Sequence, residues 1–241
     1  MTLSLALDTV TDTGSVAVGE PGSIAAEVLV GRRRHAAALV PAIDQALGLA
    51  GQSLGSLQQI IVADGPGSFT GLRIGFATVQ GLVRQRSDLV VMTAPSLMSA
   101  AVLASRLVDG PVAALYDALR GEVFAAVYHF RDRTVETLIA PRLATVSELG
   151  ESDIRPIVAV GDGAEVYAEA VRAWTGRDPV APPAGGPRAA GLIELAAVSG
   201  ALRRVDDVTT WEPNYGRLAE AQVRWERAHG KPLPGSVGER G

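Results

Sequence analysis

"PVAALYDALRGEVFAAVYHF", Pro111 to Phe130, is an apolar run ending on Asp117, a tight turn holding Gly121, and an alternating run. The chain opens on the same layout. "LSLALDT", Leu3 to Thr9, ends on Asp8, and "GSVAVGE", Gly14 to Glu20, alternates with Val16 and Val18 on one face. Asp8 and Gly14–Ser15–Val16 correspond to Asp117 and Gly121–Glu122–Val123. Each stretch reads as two strands joined by a short turn. A pair of hairpins can look alike by chance, so the order of elements around each must decide whether the chain is duplicated.

Working outward from the first hairpin, "SIAAEVLV", Ser23 to Val30, follows the Pro21–Gly22 turn and completes an antiparallel meander. In "HAAALVPAIDQALGLA", Ala36, Leu39, Ile43, Leu47 and Ala50 recur at spacings of three and four, which predicts a helix with Pro41 near its first turn and Gly51 at its end. Ile60 to Ala63 reads as a buried strand, Thr70 to Arg84 as a helix, "DLVVMTA" as a strand and Pro95 to Leu107 as a helix. The second hairpin is followed by a third strand, "VETLIA", and a buried strand in "RPIVAVGDG". Helices over Ala164–Thr175 and Arg188–Leu202 flank the loop "DPVAPPAGGP". The second half is therefore a shortened copy of the first, and the chain is expected to be α/β with two similar lobes. The expected divisions are 1–108, 109–204, and a closing segment 205–241 whose Gly/Pro-rich tail "HGKPLPGSVGERG" reads as disordered.

"GPGSFTGLRIG", Gly65 to Gly75, sits where a strand hands over to a helix. Glycines there permit positive φ and close backbone approach, and a helix N-terminus favours anions. A phosphate loop of the Walker type needs Lys–Ser/Thr after its last glycine, but "GL" follows Thr70. The dinucleotide fingerprint also fails, because Gly65, Gly67 and Gly71 follow an antiparallel meander. The helix that follows carries no charge from Ile74 to Val83, with an apolar stripe (Leu72, Phe76, Val79, Val83) and a smooth one (Gly71, Gly75, Thr78). Each helical glycine costs up to about 1 kcal/mol relative to alanine. Such a surface suits a closely packed neighbour, either within the chain or on a partner.

The 241 residues contain no cysteine, which excludes disulfides, thiol catalysis, zinc–thiolate sites and iron–sulfur clusters. The net charge of −4 argues against a protein that grips nucleic acid alone. Only "GRRRH", Gly31 to His35, is locally basic, and it reads as a solvated turn or a phosphate-contacting patch. "MTLSLALDTV" lacks the basic start and long apolar run of a signal peptide, and no stretch reaches the roughly 18 apolar residues of a membrane span. The expected location is the cytoplasm.

"GPGSFTGLRIG" after a strand, "LALDT" at the start, a histidine opening "HAAALVPAIDQAL", and "EPNYGRLAEAQVRWE" near the end together resemble the TsaB (YeaZ) family. The resemblance implies an actin/Hsp70-like (ASKHA) fold of two ribonuclease-H-like lobes, the second shortened. It implies a non-catalytic scaffold and activating subunit, a pseudoenzyme, in the synthesis of threonylcarbamoyladenosine. That modification lies next to the anticodon of tRNAs reading codons that begin with A. It implies a heterodimer with TsaD, which transfers threonylcarbamoyl from its adenylate, and it implies that the ATPase TsaE joins them. The family's heterodimer forms through the first two helices, which nominates His35, Leu39, Ile43, Leu47, Gly71, Leu72, Gly75, Phe76, Thr78 and Val79 as partner-binding. The catalytic relative holds its metal with H-x-x-x-H. Here His35 is followed by Leu39, and His129 and His229 lie far along the chain, so no metal or catalytic residue is assigned.

A remnant nucleotide site is expected at Asp8, Thr9, Thr13, Gly14 and Ser15, which have the layout of an aspartate and phosphate-binding hairpin. Its echo "DALRGE" lacks small hydroxyl residues. At most loose ATP or ADP binding is expected, at the lobe cleft or the partner interface. The scaffold reading predicts that Gly75→Arg abolishes the heterodimer and leaves the fold intact. The alternative is an autonomous actin-like ATPase or small-molecule kinase acting through Asp8. A homodimer of the chain alone is a third reading.

Overall fold

The computed structural model describes residues 2–31, 35–181, 185–186 and 188–216. The Arg32–Arg34 run, His229, the tail read as disordered and the side chain of His35 lie outside the described residues. Strands β1 (Ser4–Asp8), β2 (Gly14–Glu20) and β3 (Ser23–Val30) form the expected antiparallel meander. Helix α1 (His35–Leu49), with Pro41 inside it, leads to β4 (Gln59–Ala63), α2 (Phe69–Gln85), β5 (Val90–Ala94) and α3 (Ser96–Ala104). β4 lies parallel to β1, and β5 parallel to β4. The second half repeats the plan: β6 (Val112–Asp117), β7 (Val123–Arg131) and β8 (Thr134–Ala144) form a meander, and β9 (Val158–Val160) pairs parallel with β6. β1–β4 thus correspond to β6–β9, and the second sheet lacks a counterpart of β5. This is the expected actin/Hsp70-like pair of ribonuclease-H-like lobes with a shortened second lobe.

Side-chain alternation sorts the strands into layers. Leu5 and Leu7 of β1 point to the outer face, where they pack with Leu39, Ile43 and Leu47 of α1 and Val79 of α2. Ala6 points the other way, into a core shared with α3, with Val112, Ala114 and Tyr116 of β6, and with α7 (Ala189–Leu195). Leu115 and Ala113 face outward, onto α4 (Val146–Gly150), α5 (Asp162–Val166) and α6 (Ala168–Thr175). The order of layers is helix, sheet, helix, sheet, helix. Residues buried on both faces explain why β1 and β6 read as continuous apolar runs.

Four features depart from the sequence reading. The helix expected over Ala164–Thr175 breaks at Tyr167 into α5 and α6, and α4 was not foreseen. The helix expected over Arg188–Leu202 is only α7, seven residues long, and it packs on β1, β2 and β3 and against α3. β10 (Arg203–Arg204) then pairs with β5, so the end of the segment assigned to the second lobe builds onto the first sheet.

Residues 205–216 strap the outside of α2. Val205 N–H donates to the Val91 carbonyl at 2.9 Å, and Gln80 Nε2 to the Val208 carbonyl at 3.0 Å. Trp211 stacks on Phe76 with ring centroids 3.4 Å apart, and Tyr215 lies against Phe69 at 4.7 Å. Asn214 N–H donates to the Asp64 carbonyl at 2.8 Å, and Arg203 pairs with the Asp64 carboxylate at 3.0 Å.

The glycines of α2 differ in what surrounds them. A Cβ at Gly71 would run into the Thr9 carbonyl, whereas one at Gly81 would meet nothing within 4 Å. Gly71→Ala is therefore expected to destabilise the fold by about 2 kcal/mol or more through overpacking. Gly81→Ala is expected to stabilise it by about 0.5–1 kcal/mol through helix propensity. Urea unfolding of both variants checks the opposite signs.

Candidate functional site

Two regions carry the site residues expected from the sequence: the end of β1 and the outer helices. Asp8 closes β1 on the face of Ala6, so it points inward toward α3 rather than outward to solvent. It is 1 % exposed. One carboxylate oxygen accepts from Val10 N–H at 3.2 Å, and the other from the Ser99 hydroxyl at 3.1 Å. Burial pushes its pKa up to about 6, outweighing the two hydrogen bonds that pull it down.

The neighbouring hydroxyl groups are also engaged within the chain. Thr9 Oγ1 donates to the Gly71 carbonyl at 2.8 Å, and Ser15 Oγ accepts from Ala189 N–H at 2.6 Å, at the start of α7. Gly14 is buried, and Thr13 is exposed, its carbonyl accepting from Thr11 Oγ1 at 3.0 Å. Ser68 N–H, which an anion at the α2 N-terminus would use, donates to the Val10 carbonyl at 2.6 Å. The Ser68 hydroxyl caps the helix by accepting from Gly71 N–H at 3.2 Å. Gly65, at φ +106, makes the turn that only glycine adopts readily, and the strap covers it through Asn214. The Thr9 and Ser15 hydroxyls and the Ser68 amide thus meet Gly71, Ala189 and Val10 of the same chain. Asp8, Thr9 and Ser15 are each engaged within the chain in this arrangement.

Across the seam, Asp117 accepts from Leu119 N–H at 2.9 Å and Tyr167 O–H at 3.3 Å, while Asp162 accepts from the N–H groups of Asp117 and Gly163. The turn beyond holds Leu119 and Arg120 at positive φ as well as Gly121. Tyr116 O–H donates to the Ser96 carbonyl at 2.7 Å and ties the second lobe to the first turn of α3. Among the described residues, no group of three His, Asp or Glu side chains could hold a metal ion.

Most of the residues expected at the partner face are engaged within the chain. Leu39, Ile43, Leu47, Leu72, Phe76 and Val79 are buried in the chain's own core, and Gly71 and Gly75 are buried against Thr9. Thr78 is half-buried, its hydroxyl donating to the Ile74 carbonyl. A helix docked on its own sheet spends its most apolar stripe there, and helical periodicity finds that stripe first. The surface that α1 and α2 offer outward is different. It carries Ala37, Val40, Pro41, Gly48 and Leu49 of α1, with Val40 64 % and Leu49 65 % exposed. Ala77 and Gly81 of α2 are exposed beside it, and a Cβ at Gly48 or Gly81 would touch nothing in the chain. The signal for this face was in the sequence as apolar residues and glycines lying off the core stripe.

Asp8 predicts a pH dependence. Its folded pKa, about 6, lies above the unfolded value of 3.8, so the folded state holds the extra proton between them. Its contribution to stability is greatest below pH 3.8 and is lost as pH rises through about 6. Asp8→Asn removes the titration. Its stability relative to the wild type should increase by about 2 kcal/mol between pH 4 and pH 7. Parallel urea-unfolding profiles at the two pH values would contradict this.

Comparison with known proteins agrees with the topology. Residues 28–171 match the family described as "TsaD: tRNA N6-adenosine threonylcarbamoyltransferase". The chain is 28 % identical over 227 residues to the tRNA threonylcarbamoyladenosine biosynthesis protein TsaB of Bacillus subtilis (strain 168), covering 92 % of this chain and 96 % of that one. It is 36 % identical over 125 residues to TsaB of Escherichia coli (strain K12), covering 52 % and 54 %. The solved structure of YeaZ from Pseudomonas aeruginosa superimposes with a TM-score of 0.72 at 27 % identity, covering 89 % of this chain and all of that one. With its two-lobed fold and its match over more than half its length, the chain belongs to the TsaD family, and within it to the TsaB/YeaZ group.

Proposed function

We propose that the chain is a non-catalytic scaffold and activating subunit for the transfer of threonylcarbamoyl from its adenylate to tRNA, at the adenosine beside the anticodon. Membership of the TsaB/YeaZ group supports the pathway. The observation that carries the non-catalytic role is the engagement of Asp8, Thr9 and Ser15 within the chain. An autonomous ATPase would need those groups turned toward a phosphate and a metal ion. Under this reading ATP or ADP binds at the face shared with a partner and not at Asp8. The partners are a TsaD subunit and the ATPase TsaE, with tRNA reached through the complex in the cytoplasm, and a homodimer forms when the chain is alone.

The docking face we assign is the outer surface of α1 and α2, around Val40, Gly48, Ala77 and Gly81. Glycine there lowers helix stability with no packing within the chain to require it, which suits close approach by a second helix pair. Gly75→Arg cannot test this, because a Cβ at Gly75 already sits 2.7 Å from Thr9 Oγ1. Gly81→Arg is the informative variant. Size exclusion with light scattering should give a one-to-one complex of the wild type with TsaD from the same genome. Gly81→Arg should weaken that complex at least about tenfold, or 1.4 kcal/mol, with its unfolding midpoint no lower than that of the wild type. Leu107→Arg, at an exposed position after α3, should bind as the wild type does. Unchanged affinity in Gly81→Arg would refute the face.

Reconstituted tRNA modification should require the chain and should proceed equally with Asp8→Asn. Loss of activity in a folded Asp8→Asn protein would favour the autonomous ATPase.

A further inference from the structure

A cavity of about 260 Å³ opens on the seam between the lobes. Its walls are the ends of α3 and α7 and the Gly22 turn from the first lobe, and the tip of the β7–β8 hairpin from the second. Glu194 of α7 lines it and is 5 % exposed. One of its carboxylate oxygens is held by Arg106. The other, Oε1, is buried with no hydrogen-bond partner. A buried acceptor left unmatched is costly, and more so when the group is charged. Burial raises the Glu194 pKa, while Arg106 lowers it.

The opposite wall has a different character. The hairpin tip contributes Arg131, Asp132 and Arg133, with Asp132 and Arg133 held at positive φ. Ser199 N–H donates to the Arg133 carbonyl at 2.8 Å and anchors the tip to the chain beyond α7. Val102, Phe130 and Val198 supply apolar surface between the charged walls. A bare cation would meet three guanidinium groups in this cavity. A bare anion would meet the carboxylates of Glu194 and Asp132. A molecule carrying both signs satisfies both walls.

We propose that this cavity binds a free α-amino acid with a small aliphatic side chain. Its ammonium group meets Glu194 and Asp132, its carboxylate meets Arg131 and Arg133, and its side chain lies on Val102, Phe130 and Val198. A ligand held this way joins the second lobe's hairpin to the first lobe's helices and stabilises their packing. The site is separate from Asp8 and from the outer face of α1 and α2, so the proposal stands independently of the docking reading.

The test uses the full chain, differential scanning fluorimetry and calorimetry, with glycine, alanine, valine and threonine as probes. N-acetylvaline lacks the ammonium group, and valinamide lacks the carboxylate. A saturable rise in midpoint is expected with valine or threonine up to about 10 mM, at least about tenfold weaker with either blocked probe. Glu194→Gln and Arg133→Asn should each weaken binding about tenfold or more. Asn tolerates the positive φ of that turn, so Arg133→Asn keeps the hairpin even if the buried Glu194 variant fails to fold. The proposal is overturned if no amino acid shifts the midpoint, which would leave the cavity to water. It is equally overturned if a blocked probe matches valine, or if Arg133→Asn binds undiminished.

Discussion

The first turn of α2 lies directly on the backbone of Thr9, and much of the structure depends on that approach. Glycine at position 71 allows it, and Thr9 Oγ1 secures it by donating to the Gly71 carbonyl. With α2 in this place, Leu72 reaches the shared core and Val79 packs with α1. The loop from Gly65 to Ser68 closes over the end of β1. The strap then finds its footing on Phe76 and Phe69. Moving α2 away would expose Asp8 and its neighbours and would release the strap.

The same contact divides the helices into inner and outer surfaces. In an actin-like fold the end of the first strand is where an aspartate and a hairpin would receive phosphate. Here Asp8 is turned to Ser99, and Ser15 receives the first amide of α7. An isolated carboxylate buried in apolar surroundings is costly, and that cost is expressed as the raised pKa. On the proposed reading, that layout serves as internal structure. The surface proposed for docking is the outer side of α1 and α2, where apolar residues and glycines face away from the core.

Much of the architecture was legible because it rests on short-range signals. Alternation in Gly14–Glu20 and Val123–Phe130, the turns at Pro21–Gly22 and Gly121, and the helical spacing of Leu39, Ile43 and Leu47 each specify one element locally. The parallel between Asp8 and Asp117 then gave the two-lobed plan. Less legible were features decided by tertiary contact. α7 and β10 return to the first sheet through pairing with β5 and packing on α3, and nothing in Ala189–Arg204 encodes which sheet receives it. The side of α1 and α2 that stays outside was hard to read, because a stripe of Leu, Ile and Phe signals burial without saying against what. The residues that remain outside, Val40, Gly48 and Gly81, are fewer and less apolar than that stripe and give a weaker signal. Ser99 could not be assigned to Asp8 from sequence, since the two meet only when α3 lies between the sheets.

The central claim is that the Asp8 cleft is structural and that the outer surface of α1 and α2 meets the partner. Hydrogen–deuterium exchange of the chain, alone and with TsaD, tests it most directly. The account predicts new protection across α1 and the second half of α2, with the segments around Asp8 and Ser99 already slow in the free chain and unchanged on binding. Protection confined to the Asp8–Ser15 segment, with α1 and α2 exchanging as before, would contradict it.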